Sequence, residues 1–314
     1  MQGADALETL ATSPWAYVAA FVLGTLWGSF ANVCIYRWPP TDEHPKGRSV
    51  VAPGSHCFAC GAAVRWYDNV PLLSYLWLRG RCRDCGAGFS ARYLMVEALT
   101  GLLFALAWYV AVVLGGQMLG PEVGEALGDR MIRFGVMAAF SFTMVVITFI
   151  DLDHQLILDR VTYPAIPVFY GLGLLLPERS WMDGLIGAAV GYGLIRLISD
   201  GYFYLTKREG LGYGDGKLLA VVGALLGWRG VLFSLFGGSL IGSVIGVGVV
   251  IVARARDGKG EGEGSGPEPE ETGEKDVALR HTALPFGPFL AAAALAYLFA
   301  EPYLWAVFPL ALPR

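Results

Sequence analysis

The sequence predicts an all-α polytopic membrane protein, with about eight transmembrane helices and one small polar domain between the first and the second. Three observations carry this. Of the 314 residues, 55% are hydrophobic and only 16% charged, against roughly 25% charged in soluble domains. Several apolar runs exceed the ~18 residues that mark a membrane span, and the mean hydropathy is +0.51. The 42 glycines are near double the usual share of ~7%, which suits close packing of helices in lipid. A net charge of −4 and a pI near 5.6 give no sign of a nucleic-acid partner. Where the basic residues lie matters more than their sum.

The first apolar run, 14–36, follows Asp5 and Glu8 with no Lys or Arg before it. A secretory signal needs a basic stretch there, so this run reads as a retained span. Ser29 and Asn32 lie within it, and either bond to neighbouring helices or line a site. Residues 37–93 are polar, contain Pro39-Pro40, and carry eight basic residues and four of the five cysteines. The second span, 93–115, holds Glu97 in its first turns. A third runs over 134–150, a polar connection over 151–160, and a fourth span over 161–176. After a turn at 177–180 comes the fifth, 182–205. The sixth, 218–226, is short. Beyond Gly227-Trp228-Arg229-Gly230, the seventh, 231–252, spaces Gly238, Gly242 and Gly246 so that another helix can approach. Residues 254–282 are rich in Gly, Glu, Pro and Lys and read as a flexible solvated loop. The eighth span, 284–308, breaks or ends near Pro302. The chain thus divides into a first span (1–36), a polar domain (37–93) and a membrane core (94–314).

Lysine and arginine accumulate in cytoplasmic loops. Threading eight spans puts 37–93, 151–160, 206–217 and 254–282 on one side, with 17 of the 23 basic residues. That side is cytoplasmic and the N-terminus lies outside. Asp151 and Asp215 then fall on the same cytoplasmic boundary, two spans apart. A carboxylate at the mouth of an apolar helix is costly to keep there and marks a functional site. Asp151 follows Phe149-Ile150 directly. Asp215 stands in Gly210-Leu211-Gly212-Tyr213-Gly214-Asp215-Gly216-Lys217, where Gly212 and Gly214 free the backbone.

The two acids read as one catalytic pair. Two carboxylates a few Å apart do not both ionise easily, and they titrate as a unit sharing one proton. The ionised member draws a proton from water and the protonated member donates to a peptide carbonyl. Water then attacks the amide carbon with no covalent intermediate. Asp153 and His154 read as solvated, and Asp159 as the cap of the next helix. Lys217, two residues past Asp215 and so on another face, reads as an interfacial anchor.

The cysteines form Cys57-Phe58-Ala59-Cys60 and Cys82-Arg83-Asp84-Cys85, with Gly61 and Gly86 following. This is the spacing of a tetrahedral four-thiolate zinc site. Two disulfides are the competing reading, which a reducing cytoplasm disfavours. Four protein ligands leave no position for water, so the zinc is structural. Residues 37–93 thereby become a small cytoplasmic zinc-binding domain. Cys34 reads as an inert packed residue.

Taken together, the chain resembles the prepilin peptidases, the type IV leader peptidases of pilus and type II secretion systems. The matching pieces span nearly its whole length: Gly28-Ser29-Phe30-Ala31-Asn32-Val33-Cys34-Ile35-Tyr36-Arg37, the two cysteine pairs, Tyr93-Leu94-Met95-Val96-Glu97, Phe149-Ile150-Asp151-Leu152-Asp153, Gly212-Tyr213-Gly214-Asp215 and Leu284-Pro285-Phe286-Gly287-Pro288. The resemblance implies an aspartic endopeptidase of the bacterial inner membrane with Asp151 and Asp215 as its catalytic acids. Its substrates would be prepilins or pseudopilins, cut after a glycine on the cytoplasmic side. It also implies N-methylation of the new terminus with S-adenosylmethionine. The chain departs from the family pattern at Leu158, usually proline, and at Gly216, usually a larger apolar residue.

No G-x-G-x-x-G loop follows a strand, so a methyl donor is expected on a surface of 37–93. Glu97 beneath it either holds the new α-amino group or pairs with Arg92. Two other classes use the same residues. A proton-coupled transporter would use Asp151 and Asp215 as relay acids, although no internal repeat of the transporter kind is visible. A cleavage-dead assembly factor would only bind the pilin.

Overall fold

The computed structural model describes residues 2–115, 126–207, 212–257 and 285–307. Its regular structure is helical: α1 (Gln2–Ala11), α2 (Pro14–Arg37), the short α3 (Leu73–Trp77), α4 (Arg92–Trp108), α5 (Leu127–His154), α6 (Asp159–Gly173), α7 (Trp181–Thr206), α8 (Tyr213–Asp257) and α9 (Gly287–Val307). Among the described residues, β structure is limited to two isolated bridges, His56–Ala63 and Arg81–Gly88. Most of the loop expected at 254–282 lies outside the described residues, as do Gly210, Leu211 and Leu284.

Among the described residues, five helices are long and apolar enough to cross a membrane: α2, α4 with its π-helical continuation to Leu114, α5, α7 and α8. The sequence led us to expect about eight, and length accounts for the difference. Helix α6 has 15 residues, about 22 Å at ~1.5 Å each, short of the ~30 Å hydrocarbon core. The apolar part of α9, Gly287–Glu301, is no longer. The expected sixth and seventh spans are two limbs of α8, broken at Gly227 (φ 71°, ψ −178°). A residue with a Cβ resists that conformation, whereas glycine adopts it.

Helix α5 is the central post. Phe140, Met144, Ile147 and Ile150 are fully buried along it, and it packs against α2, α4, α6 and α9. It is also longer than its apolar run. Arg130 and Arg133 extend it at one end, paired with Glu8 and Glu178. At the other, Asp151-Leu152-Asp153-His154 form its last turn. The connection read over 151–160 therefore shrinks to 155–158. Helix α1 was not expected. The Trp108 indole donates to the Ala11 carbonyl (3.0 Å) and ties it to α4.

Glycine sets the closest approaches. A Cβ on Gly28 of α2 would lie 2.7 Å from the Cα of Glu97 on α4. The first limb of α8 meets α7 backbone to backbone at Gly187, Gly191 and Gly223. Of the expected stripe on the second limb, Gly238 and Gly242 take Leu290 and Phe289 of α9, while Gly246 meets nothing.

Candidate active site

Asp151 stands in the last turn of α5 and Asp215 in the first turn of α8. Both are buried, at 5% and 8% exposure. The chain leaves α5 through Gln155, in the left-handed region (φ 50°, ψ 42°), whose N–H donates to the Asp151 carbonyl (2.8 Å). That stop turns residues 156–158 back toward α8. Both carboxylates open onto one cavity of about 890 Å3, also lined by Gln155, Ile157, Lys217 and Phe286.

The glycines around the pair have separate tasks. The Gly212 backbone N–H bonds to the Asp215 side chain, and its carbonyl accepts from the Asp215 N–H (3.1 Å). A Cβ on Gly214 would sit 3.0 Å from that of Ile157. On Gly216 it would sit 3.3 Å from that of Ile195 on α7. Gly287 enters the sequence reading only as part of a matching piece, with no contact assigned to it, yet its N–H bonds to the Asp151 carboxyl. A side chain there would overlap Asp151 Oδ2. Asp151 thus faces the positive end of α9, as Asp215 sits at that of α8.

Three neighbours depart from the sequence reading. Asp159 caps nothing: Leu158 is the N-cap, without a side-chain bond, and Asp159 pairs instead with Lys217. Lys217 is accordingly not a free anchor at the membrane surface; its ammonium also lies 5.2 Å from the Tyr163 ring centre. Asp153 is ion-paired with Arg92, whose guanidinium also donates to the Phe149 carbonyl (2.9 Å). Arg92 thus pairs with Asp153 and not with Glu97, which was one of the two readings of Glu97.

The four cysteine sulfurs lie within 4.8 Å of one another, and Cys57 Sγ is 3.7 Å from Cys85 Sγ. Zinc bonds to sulfur of ~2.3 Å in a tetrahedron require sulfur–sulfur edges of about 3.8 Å, whereas a disulfide needs ~2.05 Å. All are free thiols. Each pair forms the same knuckle. Cys57 N–H donates to Ala62 O (2.9 Å) and Gly61 N–H returns to Cys57 O (2.9 Å); Cys82 with Ala87 and Gly86 repeats this at 2.8 and 3.0 Å. Gly61 and Gly86 have φ of 71° and 73°, which their lack of a Cβ permits. The backbone N–H groups of Cys60 and Ala59 pull Cys57 down to about 6. Against the opposing Ala87 N–H, burial and the other three sulfurs push Cys85 up to about 12. The donor set fits a soft divalent cation. Arg83 holds the second knuckle by two bonds to Asp68 (Nε to Oδ2 2.8 Å).

Residues 22–111 match the bacterial peptidase A24 N-terminal domain, and residues 138–247 match the type IV leader peptidase family. Curated relatives named prepilin leader peptidase/N-methyltransferase extend the match. The one from Aeromonas salmonicida is 35% identical over 77% of this chain and 84% of its own. The one from Stutzerimonas stutzeri is 32% identical over 91% and 92%. The chain belongs to the type IV leader peptidase family. It is a multi-pass membrane enzyme of a protease family, and the transporter alternative finds no support in these matches. No solved structure matches.

A third buried carboxylate lies apart from the pair. Glu97 is 9% exposed; it accepts from the Leu72 N–H (2.8 Å) and bonds to Ser29. Asn32 Nδ2 donates to the Tyr93 carbonyl (3.1 Å). Ser29 and Asn32 therefore do both things the sequence left open: they bond across helices, and they line a cavity of about 190 Å3 with Glu97, Tyr36, Phe58 and Tyr75. Cys34 is wholly buried, in keeping with a packed residue.

Proposed function

We propose that this chain is an aspartic endopeptidase that removes the basic leader from type IV prepilins or type II secretion pseudopilins. The observation that carries the reading is that Asp151 and Asp215, on helices ending and beginning at the same level, open onto one cavity. One acid takes a proton from water as the other donates to the scissile carbonyl, and the hydrated amide collapses. Gly287 N–H and Gly212 N–H orient the two carboxyls. A prepilin has a basic leader in the cytoplasm and an apolar helix in lipid, so the cut requires acids at that boundary. In this reading the protein crosses the bacterial inner membrane eight times, with α6, α9 and the two limbs of α8 as crossings. The N-terminus is periplasmic and the site cytoplasmic, as the basic loops favour. Residues 37–93 form the zinc domain, with Cys57, Cys60, Cys82 and Cys85 as ligands to structural zinc.

The same chain N-methylates the new terminus. S-adenosylmethionine, when bound, supplies the methyl group. Glu97 holds the pilin amine, and the rings of Tyr36, Phe58 and Tyr75 suit a sulfonium. The cavity, about 190 Å3, would admit the reacting end of such a donor. The test is purified protein in detergent with a prepilin, read by mass spectrometry of the pilin N-terminus. We expect leader loss, and one added methyl when the donor is present. No cleavage by the wild-type chain would overturn the reading, as would cleavage by Asp151→Asn at the wild-type rate.

A further inference from the structure

The cysteine domain meets the membrane helices at an unusual turn. Leu72 has φ 59° and ψ −52°, and Leu73 N–H donates to Pro71 O (2.6 Å) across it. A side-chain-bearing residue adopts this conformation only when its surroundings hold it there. Here the Leu72 N–H is fixed on Glu97 Oε2 at 2.8 Å. Glu97 lies five residues into α4 from Arg92, about 8 Å along the axis at ~1.5 Å per residue. Ser29, which also bonds Glu97, lies eight residues before the end of α2, about 12 Å along its axis. The turn therefore descends below the ends of both spans.

Immediately after the turn, the chain is apolar and uncovered. Helix α3 exposes Leu73 (66%), Leu76 (63%) and Trp77 (82%), while Tyr75 and Leu78 face the Glu97 cavity. Four of its amides are satisfied within the segment: Ser74, Leu76, Leu78 and Gly80 donate to Val70, Leu72, Ser74 and Tyr75 at 2.9 to 3.0 Å. Backbone placed in lipid must be satisfied in this way. Arg79 and Arg81 come next, both exposed.

We propose that residues 70–78 are a re-entrant wedge seated in the adjoining lipid leaflet. Leu73 and Leu76 lie among the upper acyl chains, and the Trp77 ring lies at the interface, where tryptophan is favoured. Arg79 and Arg81 meet the phosphates of anionic lipid. The wedge fixes the height of the cysteine domain over the Glu97 cavity. This depends on the chain being membrane-embedded, not on which reaction it performs.

The test uses the wild-type chain in vesicles, so it does not depend on a variant folding. The vesicles contain phosphatidylcholine and phosphatidylglycerol, one of which carries a photoactivatable group in its acyl chain. After irradiation, peptides are mapped by mass spectrometry. We expect adducts on 73–77 as well as on lipid-facing Leu102 of α4. Adducts on Leu102 with none on 73–77 would overturn the wedge, as would cross-links from 73–77 to a second copy of the chain. Arg79→Gln with Arg81→Gln should lower labelling by the phosphatidylglycerol probe several-fold and leave that by phosphatidylcholine unchanged. Equal labelling by both in that variant would reject the phosphate contacts.

Discussion

The two buried-carboxylate sites, one at Asp151 and Asp215 and one at Glu97, differ in what faces the acid. In the larger cavity the partner is a second carboxyl, and each carboxyl also takes one backbone N–H from a glycine. In the smaller, one carboxyl faces a backbone N–H, a serine and tyrosine rings. Facing acids can share and pass a proton. A lone buried carboxylate is better suited to hold a cation. The contrast teaches that burial alone does not assign a role; the partner does. If it is right, damage to one site should separate cleavage from methylation.

The largest effect belongs to the pair. Asp215→Asn should lower cleavage by at least about 10³-fold, and methylation should vanish with it, since no new terminus forms. Gly287→Ala comes next. Its methyl group would push on Asp151 Oδ2 and remove no acid, so cleavage should fall by about 10- to 100-fold, visible as lost kcat. An unchanged rate would show that Asp151 does not need that N–H. Glu97→Gln should sharpen the comparison most: cleavage within about 3-fold of wild type, and methyl incorporation down at least tenfold, both read from one pilin mass spectrum, about 1.4 kcal/mol at the limit. Full methylation in that variant would dissolve the contrast.

Smaller effects test the scaffolding. Metal analysis should find about one zinc per chain. Cys57→Ser should remove it and speed proteolysis within 57–85, because metal binding and local folding are coupled. Cys34→Ser should keep the zinc. The smallest belongs to Asp159→Asn. Its side chain is 59% exposed and pairs with Lys217, and such pairs contribute about 0–1 kcal/mol. Cleavage should stay within about 3-fold of wild type; a large loss would move Asp159 into the catalytic machinery.

Much of both sites was legible in the sequence. Phe149-Ile150-Asp151 and Gly212-Tyr213-Gly214-Asp215 were read as parts of one site, and the structure brings both acids to one cavity. The C-x-x-C spacing with glycine after each pair reappears as twin knuckles. The partners of the acids were not legible. Gly287 lies 136 residues from Asp151 and carries no side chain to advertise its N–H. Proline at the next position does mark a helix start, a signal that could have pointed to it. Asp159 was misread as a cap, and the partners of exposed Asp153 and of Lys217 were not legible, because only the packing of α4 and α6 brings Arg92 and Tyr163 beside them.

The sequence by itself determined the membrane class, the family and the spacing of the four cysteines that the structure gathers. Those rest on hydropathy, short-range spacing and motifs, each a local property. The tertiary structure decided how many helices are long enough to cross, where α8 breaks, which backbone N–H meets which carboxyl, and that Leu72 reaches down to Glu97. These depend on approaches between distant segments, set by glycine contacts such as Gly28 on Glu97 and Gly187 on Gly223. No periodicity along one helix encodes the partner it will meet.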